Sequence, residues 1–401
     1  MRKFLIFVVL LMLIVAGIGF ILVATTPRRS AGMGTPLGAR GRALIAQVPS
    51  SAEAFAIIPT AAALDAKLRA NPVSRAAIES WSARRALPRG WMIGPADLVA
   101  WKSGKETHYL LHLDLFRAVI VRLYLMAGGN IGETLLINAP PEQPIDSTTA
   151  AEIVDLASKL PSGDALVVQR QSARGAYPPI ARPTATSVQV SQSEIRLISV
   201  APALAGQDRL KPAPHHFPRS AILSASFTSP PRVVSDLNRI FGAKVSSLLE
   251  NGGTVAIYNV DTRKLLPRPL GVIVLPNDPQ RRQIVDSFRK AESIGIHVRT
   301  AEIGDNLVLS FDDSIDQYQK DAFDEAPVGN QWTVRLDPVR LVPILNELGQ
   351  NLGLRIAAPR LFRSARDLDE WISGLEQAKL IEASDSADSQ GETLQVRIAA
   401  K

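Results

Sequence analysis

Residues 97–115, DLVAWKSGKETHYLLHLDL, decide the fold. Asp97 to Trp101 and His108 to Leu115 are short apolar-rich runs carrying Val, Trp, Tyr and Leu, and the polar turn Ser103-Gly104-Lys105-Glu106 lies between them. Two strands separated by so short a polar turn can pair only as an antiparallel hairpin. Parallel neighbours would need a crossover of a dozen residues or more. The same grammar recurs at Ile296 to Ala301, turn Ile303-Gly304-Asp305, and Asn306 to Phe311. The expected class is therefore α+β with mainly antiparallel sheets, not a doubly wound sheet.

Working outward, further strands are expected at Phe55 to Ile58, Thr134 to Ile137, Ala165 to Gln169, Ala221 to Phe227, Thr254 to Val260, Leu270 to Leu275 and Trp332 to Leu336. The clearest helix follows Pro230 and Pro231, where Val233, Val234, Leu237, Ile240, Phe241, Val245, Leu248 and Leu249 recur at 3.6-residue spacing. Other helices are expected from Asn71 with Pro72 in the first turn, from Thr149 with Glu152 completing a capping box, after Asp278-Pro279, after Asp337-Pro338, and near Ser364. Stretches 171–187 and 201–219 carry many prolines and read as linkers around a hairpin, Val188 to Val200.

The order of elements repeats about 160 to 170 residues on. FAIIPTAAALDAKL opens one copy as AILSASFTSPPRVVSDL opens the other; GETLLINAP in the first parallels GDNLVLSFD in the second. The division expected from this is an anchor at 1–24, a flexible linker at 25–42, and two similar, duplicated α+β domains at 43–205 and 206–401, with the boundary near 205–215.

The run Phe4 to Ala24 contains no polar or charged side chain. At about 1.5 Å per residue it spans roughly 30 Å, the thickness of the hydrocarbon core of a bilayer. A cleaved signal would need a shorter apolar stretch and small residues at the cut, but Leu22 and Pro27 disfavour the nearest candidates. One uncleaved transmembrane helix is expected. Arg2 and Lys3 precede it, while Arg28, Arg29, Arg40 and Arg42 follow, so flanking charge does not decide orientation cleanly. A short basic head before a long apolar run resembles an export signal that anchors. The expected location is the inner membrane, single-pass, with the bulk on the periplasmic side.

The net charge of +7 is concentrated near that end: residues 1–150 hold 16 Lys/Arg against 9 Asp/Glu, whereas 151–401 hold 29 of each. Two partners follow from this: the lipid bilayer through Phe4 to Ala24, and an anionic membrane surface near Arg28 and Arg29. Nucleic acid is not expected, because the distal part is neutral and has no basic stripe with interleaved aromatics. The chain has no cysteine, which removes thiolate, disulfide and zinc-thiolate chemistry.

ALIAQVPSSAEAFAIIPTAAALDAKL (43–68) and WTVRLDPVRLVPILNEL (332–348), the latter followed by a terminal hairpin, carry a resemblance. By pattern over most of 43–401, the chain is similar to a bacterial family of uncharacterised membrane-anchored envelope proteins. The resemblance implies an envelope location, and it brings no activity and no functional residues with it.

Candidates for chemistry are few. His108 and His112 share a strand face but stand about 13 Å apart along it. His215-His216 reads as a loop pair, and His297 stands alone in a strand. Asp312-Asp313-Ser314-Ile315-Asp316 has the DDxxD form of a magnesium site, but acidic residues at a helix start explain the run as well. Gly32-Met33-Gly34 follows a stalk, not a strand, so it fails as a dinucleotide loop, and Ser103-Gly104-Lys105-Glu106 lacks the residues of a phosphate loop. The Arg-rich stretches Arg281-Arg282 and Arg360 to Arg366 are the best polar candidates for an acidic partner. The reading assigns no catalytic, cofactor-binding or metal-binding residue and no cofactor. It expects a non-enzymatic binding or scaffolding module; the alternatives are a carrier or chaperone for an amphiphilic ligand, and an enzyme without a recognisable motif.

The full-length chain is expected to fractionate with membranes, while a chain starting near Arg42 stays in the soluble fraction. A mature N-terminus beyond Thr25, read by mass spectrometry, would overturn this.

Overall fold

The computed structural model describes the chain from Arg42 onward, apart chiefly from 77–96, most of 114–133, 171–182, 203–215, 228–251, 277–297, 326–331 and 352–371. Helices accompany large, mainly antiparallel sheets, an α+β arrangement. The chain divides into two bodies. One comprises the described residues up to Gln207 together with those of Arg366–Lys379 and Asp385–Lys401; the other comprises those of Asp208–Ala365 and Leu380–Ser384.

In the first body the elements run β1 (Ala54–Ile58), α1 (Ala61–Ala70), β2 (Asp97–Ser103), β3 (Glu106–His112), β4 (Thr134–Ile137), α2 (Ser147–Ser158), β5 (Ala165–Gln169), β6 (Thr184–Val190) and β7 (Glu194–Ala201). Their spatial order is β7-β6-β5-β1-β2-β3-β4. The opening hairpin forms as expected, with Ser103 opposite Glu106 and Trp101 opposite His108, and Gly104 supplies the positive φ of 62° that the turn needs. Alternation sends Phe55, Ile57, Val99, Trp101, Leu166 and Val168 to one face, where Ile153, Leu156 and Leu160 of α2 and its C-terminal turn cover them. Ala165, Val190, Ile58 and Val188 turn the other way, against Leu64 and Leu68 of α1. The sheet is thus covered on both faces, and each fully buried Ile or Leu contributes about 1.5–3 kcal/mol.

The second body contains β8 (His216–Pro218), β9 (Leu223–Phe227), β10 (Gly253–Asp261), β11 (Arg268–Pro276), β12 (Arg299–Ile303), β13 (Asn306–Ser310), α3 (Ser314–Lys320), β14 (Phe323–Glu325), β15 (Trp332–Leu336) and α4 (Pro338–Gln350). Its main sheet has the order β12-β13-β11-β10-β9-β15, and β14 pairs with β8 separately. Ala256, Tyr258, Val272, Val274 and Val308 meet Ile315 and Tyr318 of α3 on one face. Leu275, Leu307 and Leu309 pack with Val298 on the other.

Two strands complete the chain: β16 (Ala378–Asp388) and β17 (Gly391–Ala400). β17 pairs antiparallel with β7, from Glu392 opposite Ala201 to Ala399 opposite Glu194. This corrects the expectation of two contiguous domains, 43–205 and 206–401. The division at Gln207/Asp208 falls in the expected interval, but the last strand crosses back to the N-terminal body because its backbone groups are satisfied on the free edge of β7.

Other boundaries move for local reasons. The helix expected from Thr149 starts earlier, capped by Asp146, which accepts from Thr149 N–H at 2.9 Å and from its hydroxyl at 2.7 Å; aspartate is the better N-cap. Residues 184–187, read as linker, belong to β6 because their backbone pairs with β5. Within 201–219, His216–Pro218 forms β8. Asp337 caps α4 as expected, accepting from Val339 N–H at 3.0 Å and Arg340 N–H at 3.3 Å, with Pro338 in the first turn. The helices expected after Pro231, after Asp278-Pro279 and at Ser364, the anchor at 1–24, and the linker at 25–42 except Arg42 lie outside the described residues.

The segments GETLLINAP and GDNLVLSFD, expected to correspond, differ in strand direction. β4 runs parallel to β3, whereas β13 runs antiparallel to β11. β12 is antiparallel to β13 and so points the same way as β11. β4 thus runs in the direction of β3, and β12, not β13, runs in the direction of β11.

A bulge in β10 between Ile257 and Asn259 sets Tyr258 out of register with β11. The two strands close on each other beside it: a Cβ on Gly271 would lie 2.2 Å from the Ala256 carbonyl oxygen. Gly349, inside α4, has nothing within 4 Å of that position. Gly271→Ala is therefore expected to destabilise by about 1–3 kcal/mol, and Gly349→Ala to stabilise by about 0.5–1 kcal/mol, both read from urea unfolding midpoints.

Candidate functional site

The first body carries a polar cleft of ≈ 450 Å³ where the end of α1, the connection into β5 and the β6–β7 turn come together. Lys67, in the last turn of α1, reaches Asp164 Oδ1 at 2.6 Å. Asp164 Oδ2 accepts the Val190 N–H at 2.9 Å, and the Asp164 N–H donates to Val188 O at 2.7 Å. Gly163 makes this approach feasible, since a Cβ there would stand 2.3 Å from Ser187 Oγ and 2.8 Å from Val188 O. Gln189 Nε2 donates to Ser162 O at 2.5 Å.

The opposite wall is the β6–β7 turn. Ser191 N–H donates to Glu194 O at 2.8 Å, and Glu194 N–H donates to Ser191 Oγ at 3.1 Å. Asn71, fully buried, caps the helical turn 72–76 through Val73 N–H at 3.0 Å and Ser74 N–H at 3.2 Å. Its side-chain amide donates to Ser191 O at 2.8 Å, which pins the turn to the helix. The helix start expected at Asn71 is thus a structural clamp on the cleft.

Register then places Gln189, Arg196 and Arg397 side by side across β6, β7 and β17. Like charges directly opposite on neighbouring strands repel. Here one carboxylate serves both: Glu194 Oε1 lies 2.7 Å from Arg196 Nε and 2.7 Å from its Nη2, and Oε2 lies 3.1 Å from Arg397 Nε. Burial pushes the Glu194 carboxyl up, but the hydrogen bonds and charges of Arg196 and Arg397 outweigh it, so its pKa falls below the ordinary carboxylate value. Asp164 and Glu194 are occupied in holding cations and backbone.

The second body has its own charged network. Arg219 Nε meets Asp324 Oδ1 at 2.5 Å, Arg335 Nη1 binds Asp324 Oδ2, and Arg335 Nε stands 3.9 Å from Glu382. The hydrogen bond from Arg335 is the main cause holding the Asp324 carboxyl below its usual range, against some burial. Ser220 donates through its N–H and its hydroxyl to Asp321, at 3.1 and 2.5 Å. Burial, and then the nearby Asp321 charge, pushes the Tyr258 hydroxyl far above its ordinary pKa.

Most residues singled out from the sequence go elsewhere. His108 stacks on Trp101 with ring centroids 5.4 Å apart, while His112, four residues along β3, sits opposite Asp97. The DDxxD carboxylates diverge. Asp312 accepts from Gly271 N–H at 3.1 Å, Ser310 Oγ at 3.0 Å and Ser314 N–H at 2.6 Å, tying α3 to the sheet. Asp313 and Asp316 pair with exposed Arg299. Among the described residues no three His, Asp or Glu side chains gather closely enough to hold a metal ion. Gly104 is the exposed tip of the β2–β3 turn. His216 lies in β8, opposite Glu325. Gly32, Gly34, His215, His297, Arg281, Arg282 and Arg360 to Arg366 lie outside the described residues. Lys67, Asp164, Glu194, Arg196 and Arg397 were not foreseen; their one sequence signal is the alternation Glu194-Ile195-Arg196, which places both charges on one strand face.

The chain matches no described family, no curated protein and no solved structure.

Because Asp324 is depressed in the folded chain, its pairing stabilises above the ordinary carboxylate range and is lost as pH falls through its folded pKa. Arg335→Gln is expected to be less stable than wild type at pH 7, with the difference shrinking below about pH 4, as measured by urea unfolding of both proteins across pH.

Proposed function

We propose that the chain is a membrane-tethered binding or scaffolding module of the bacterial cell envelope, with its bulk on the periplasmic side, and that it is not an enzyme. The observation that carries the tether is the uninterrupted apolar run Phe4 to Ala24. Among the described residues, which begin after it, no helix is long and apolar enough to cross a membrane. Arg28 and Arg29 would meet the anionic headgroups next to the anchor. A binding role is supported by the cleft between α1 and the β6–β7 turn. Its two carboxylates are engaged by Lys67, Arg196, Arg397 and backbone N–H groups, an arrangement that holds shape for recognition and leaves neither poised to move a proton. The polar lining also favours this reading over a carrier for apolar chains, which needs a mostly hydrophobic pocket.

The same reading includes a duplication. The order β3-β2-β1-β5 in the first body and β11-β10-β9-β15 in the second supports two copies of one β-sheet plan, each with a helix in the connection leading to the strand beside β1 or β9. β12, which runs in the direction of β11 as β4 runs in that of β3, is then the equivalent of β4, and β13 is an insertion between β12 and β11.

Alkaline phosphatase fused after Lys401 is expected to be active in bacterial cells, since it folds to an active form only outside the cytoplasm. An inactive fusion alongside an active cytoplasmic reporter at the same position reverses the placement.

A further inference from the structure

We propose that the cleft of the first body binds a neutral, polyhydroxylated ligand, a saccharide of one or two rings; this rests on the reading of the chain as a binding module and names the chemistry of its ligand. The lining carries two cations and two carboxylates, and each cation is held by a carboxylate of the same lining: Lys67 by Asp164 at 2.6 Å, Arg196 by Glu194 at 2.7 Å. An entering anion meets Asp164 and Glu194, and an entering cation meets Lys67 and Arg196. Either would give up hydration for a wall of balanced charge. A neutral ligand gives up far less.

The paired charges keep hydrogen-bonding capacity. Lys67 has three N–H donors and Arg196 five; Lys67 reaches Asp164, and Arg196 gives Glu194 its Nε edge and Nη2. Each Asp164 oxygen accepts one bond, from Lys67 or from the Val190 N–H, and has a second lone pair. Ser191 Oγ is taken up within its own turn, donating to Glu194 O and accepting the Glu194 N–H, both at 3.1 Å. Gln189 donates to Ser162 O, and among the described residues its amide oxygen and the Ser193 hydroxyl stay open to a ligand. The wall is therefore a close mixture of donors and acceptors. A hydroxyl donates one hydrogen bond and accepts two, so a ring carrying several adjacent hydroxyls can satisfy both kinds by rotating its O–H bonds. Val190 is the one apolar side chain among the described lining residues, supplemented by the methylene stems of Lys67 and Arg196. That surface suits the C–H face of a sugar ring. It is too small for an apolar ligand or for the alternate side-chain pockets of an extended peptide. The frame is set before binding, because Asn71 pins Ser191 O and Asp164 fixes the Val190 N–H, which lowers the ordering cost for a ligand. The volume of ≈ 450 Å³ falls in the range of small-molecule clefts. With Lys67 49% and Arg196 41% exposed, the cleft opens to solvent and admits a free sugar or the end of a longer glycan.

Glucose, galactose, mannose and N-acetylglucosamine, each as the free sugar and as a linear tetrasaccharide, are titrated calorimetrically into the full-length chain in micelles of octaethylene glycol monododecyl ether, which carries no sugar. Saturable binding of at least one probe is expected, with an affinity that changes less than about twofold as sodium chloride is raised, because no net charge is exchanged. Inorganic phosphate is expected not to compete. In Gln189→Ala/Ser193→Ala the affinity should fall tenfold or more, and in Arg219→Gln it should not change. Far-ultraviolet circular dichroism and the single variants Gln189→Ala and Ser193→Ala, each expected to lose several-fold, keep the test valid if the double variant folds poorly. Binding of a tetrasaccharide at least threefold tighter than its free sugar assigns the source to a glycan chain, and any smaller difference assigns it to a free saccharide. Absence of saturable binding across the panel, displacement by phosphate, or binding untouched by the Gln189 and Ser193 substitutions overturns the proposal. Release of reducing ends from a bound tetrasaccharide would overturn the non-enzymatic reading and leave the saccharide site standing. An inactive phosphatase fusion would overturn the envelope placement and likewise leave the site standing.

Discussion

The antiparallel ladder between Gly391–Ala400 and Glu194–Ala201 is the constraint on which the first body depends. It joins segments some two hundred residues apart, Glu194 and Arg397 among them. Closing so long a loop costs conformational entropy, but the cost grows only with the logarithm of its length. A full edge of backbone hydrogen bonds and the burial of Leu394 and Val396 offset it. Without this ladder, β7 would present an open edge.

From the ladder follows the charge pattern of the cleft. Alternation along β7 puts Glu194 and Arg196 on one face, and the register brings Arg397 opposite Arg196. A slip of one residue would turn Arg397 to the opposite face and leave Glu194 with a single partner. The helical side is fixed with the same economy. Asn71 both caps the helical turn that follows α1 and holds the Ser191 carbonyl, so the distance between α1 and the β6–β7 turn is set by one buried side chain. Gly163 lets the connection into β5 lie flat against β6. The cleft walls are thus positioned by backbone contacts, and the charged groups decorate a rigid frame.

The second body uses related local grammar for a different outcome. The bulge at Tyr258 and the small Gly271 allow β10 and β11 to close tightly, and Asp312, which looked like a metal ligand, anchors α3 to Gly271 instead. Its arginines meet carboxylates within the network. Two bodies with similar strand order therefore differ most where their polar side chains meet.

The sequence by itself determined the local elements whose causes are local. The Ser103–Glu106 turn, the Asp337-Pro338 helix start, the period-two strands and the apolar Phe4–Ala24 run are all set by neighbours within a few residues, through φ preferences, capping and hydropathy. Asp146 and Thr149 both suit a cap by residue type, and only the hydrogen bond distinguishes them. What only the tertiary structure decided is the pairing of distant strands: that β17 returns to β7, that β4 runs parallel to β3, that Lys67, Asp164, Glu194 and Arg196 share one cleft, and that Arg397 reaches Glu194 from β17. Their contacts depend on register between segments separated by tens to hundreds of residues. No local pattern encodes that register; the packing of whole faces and the satisfaction of strand edges select it.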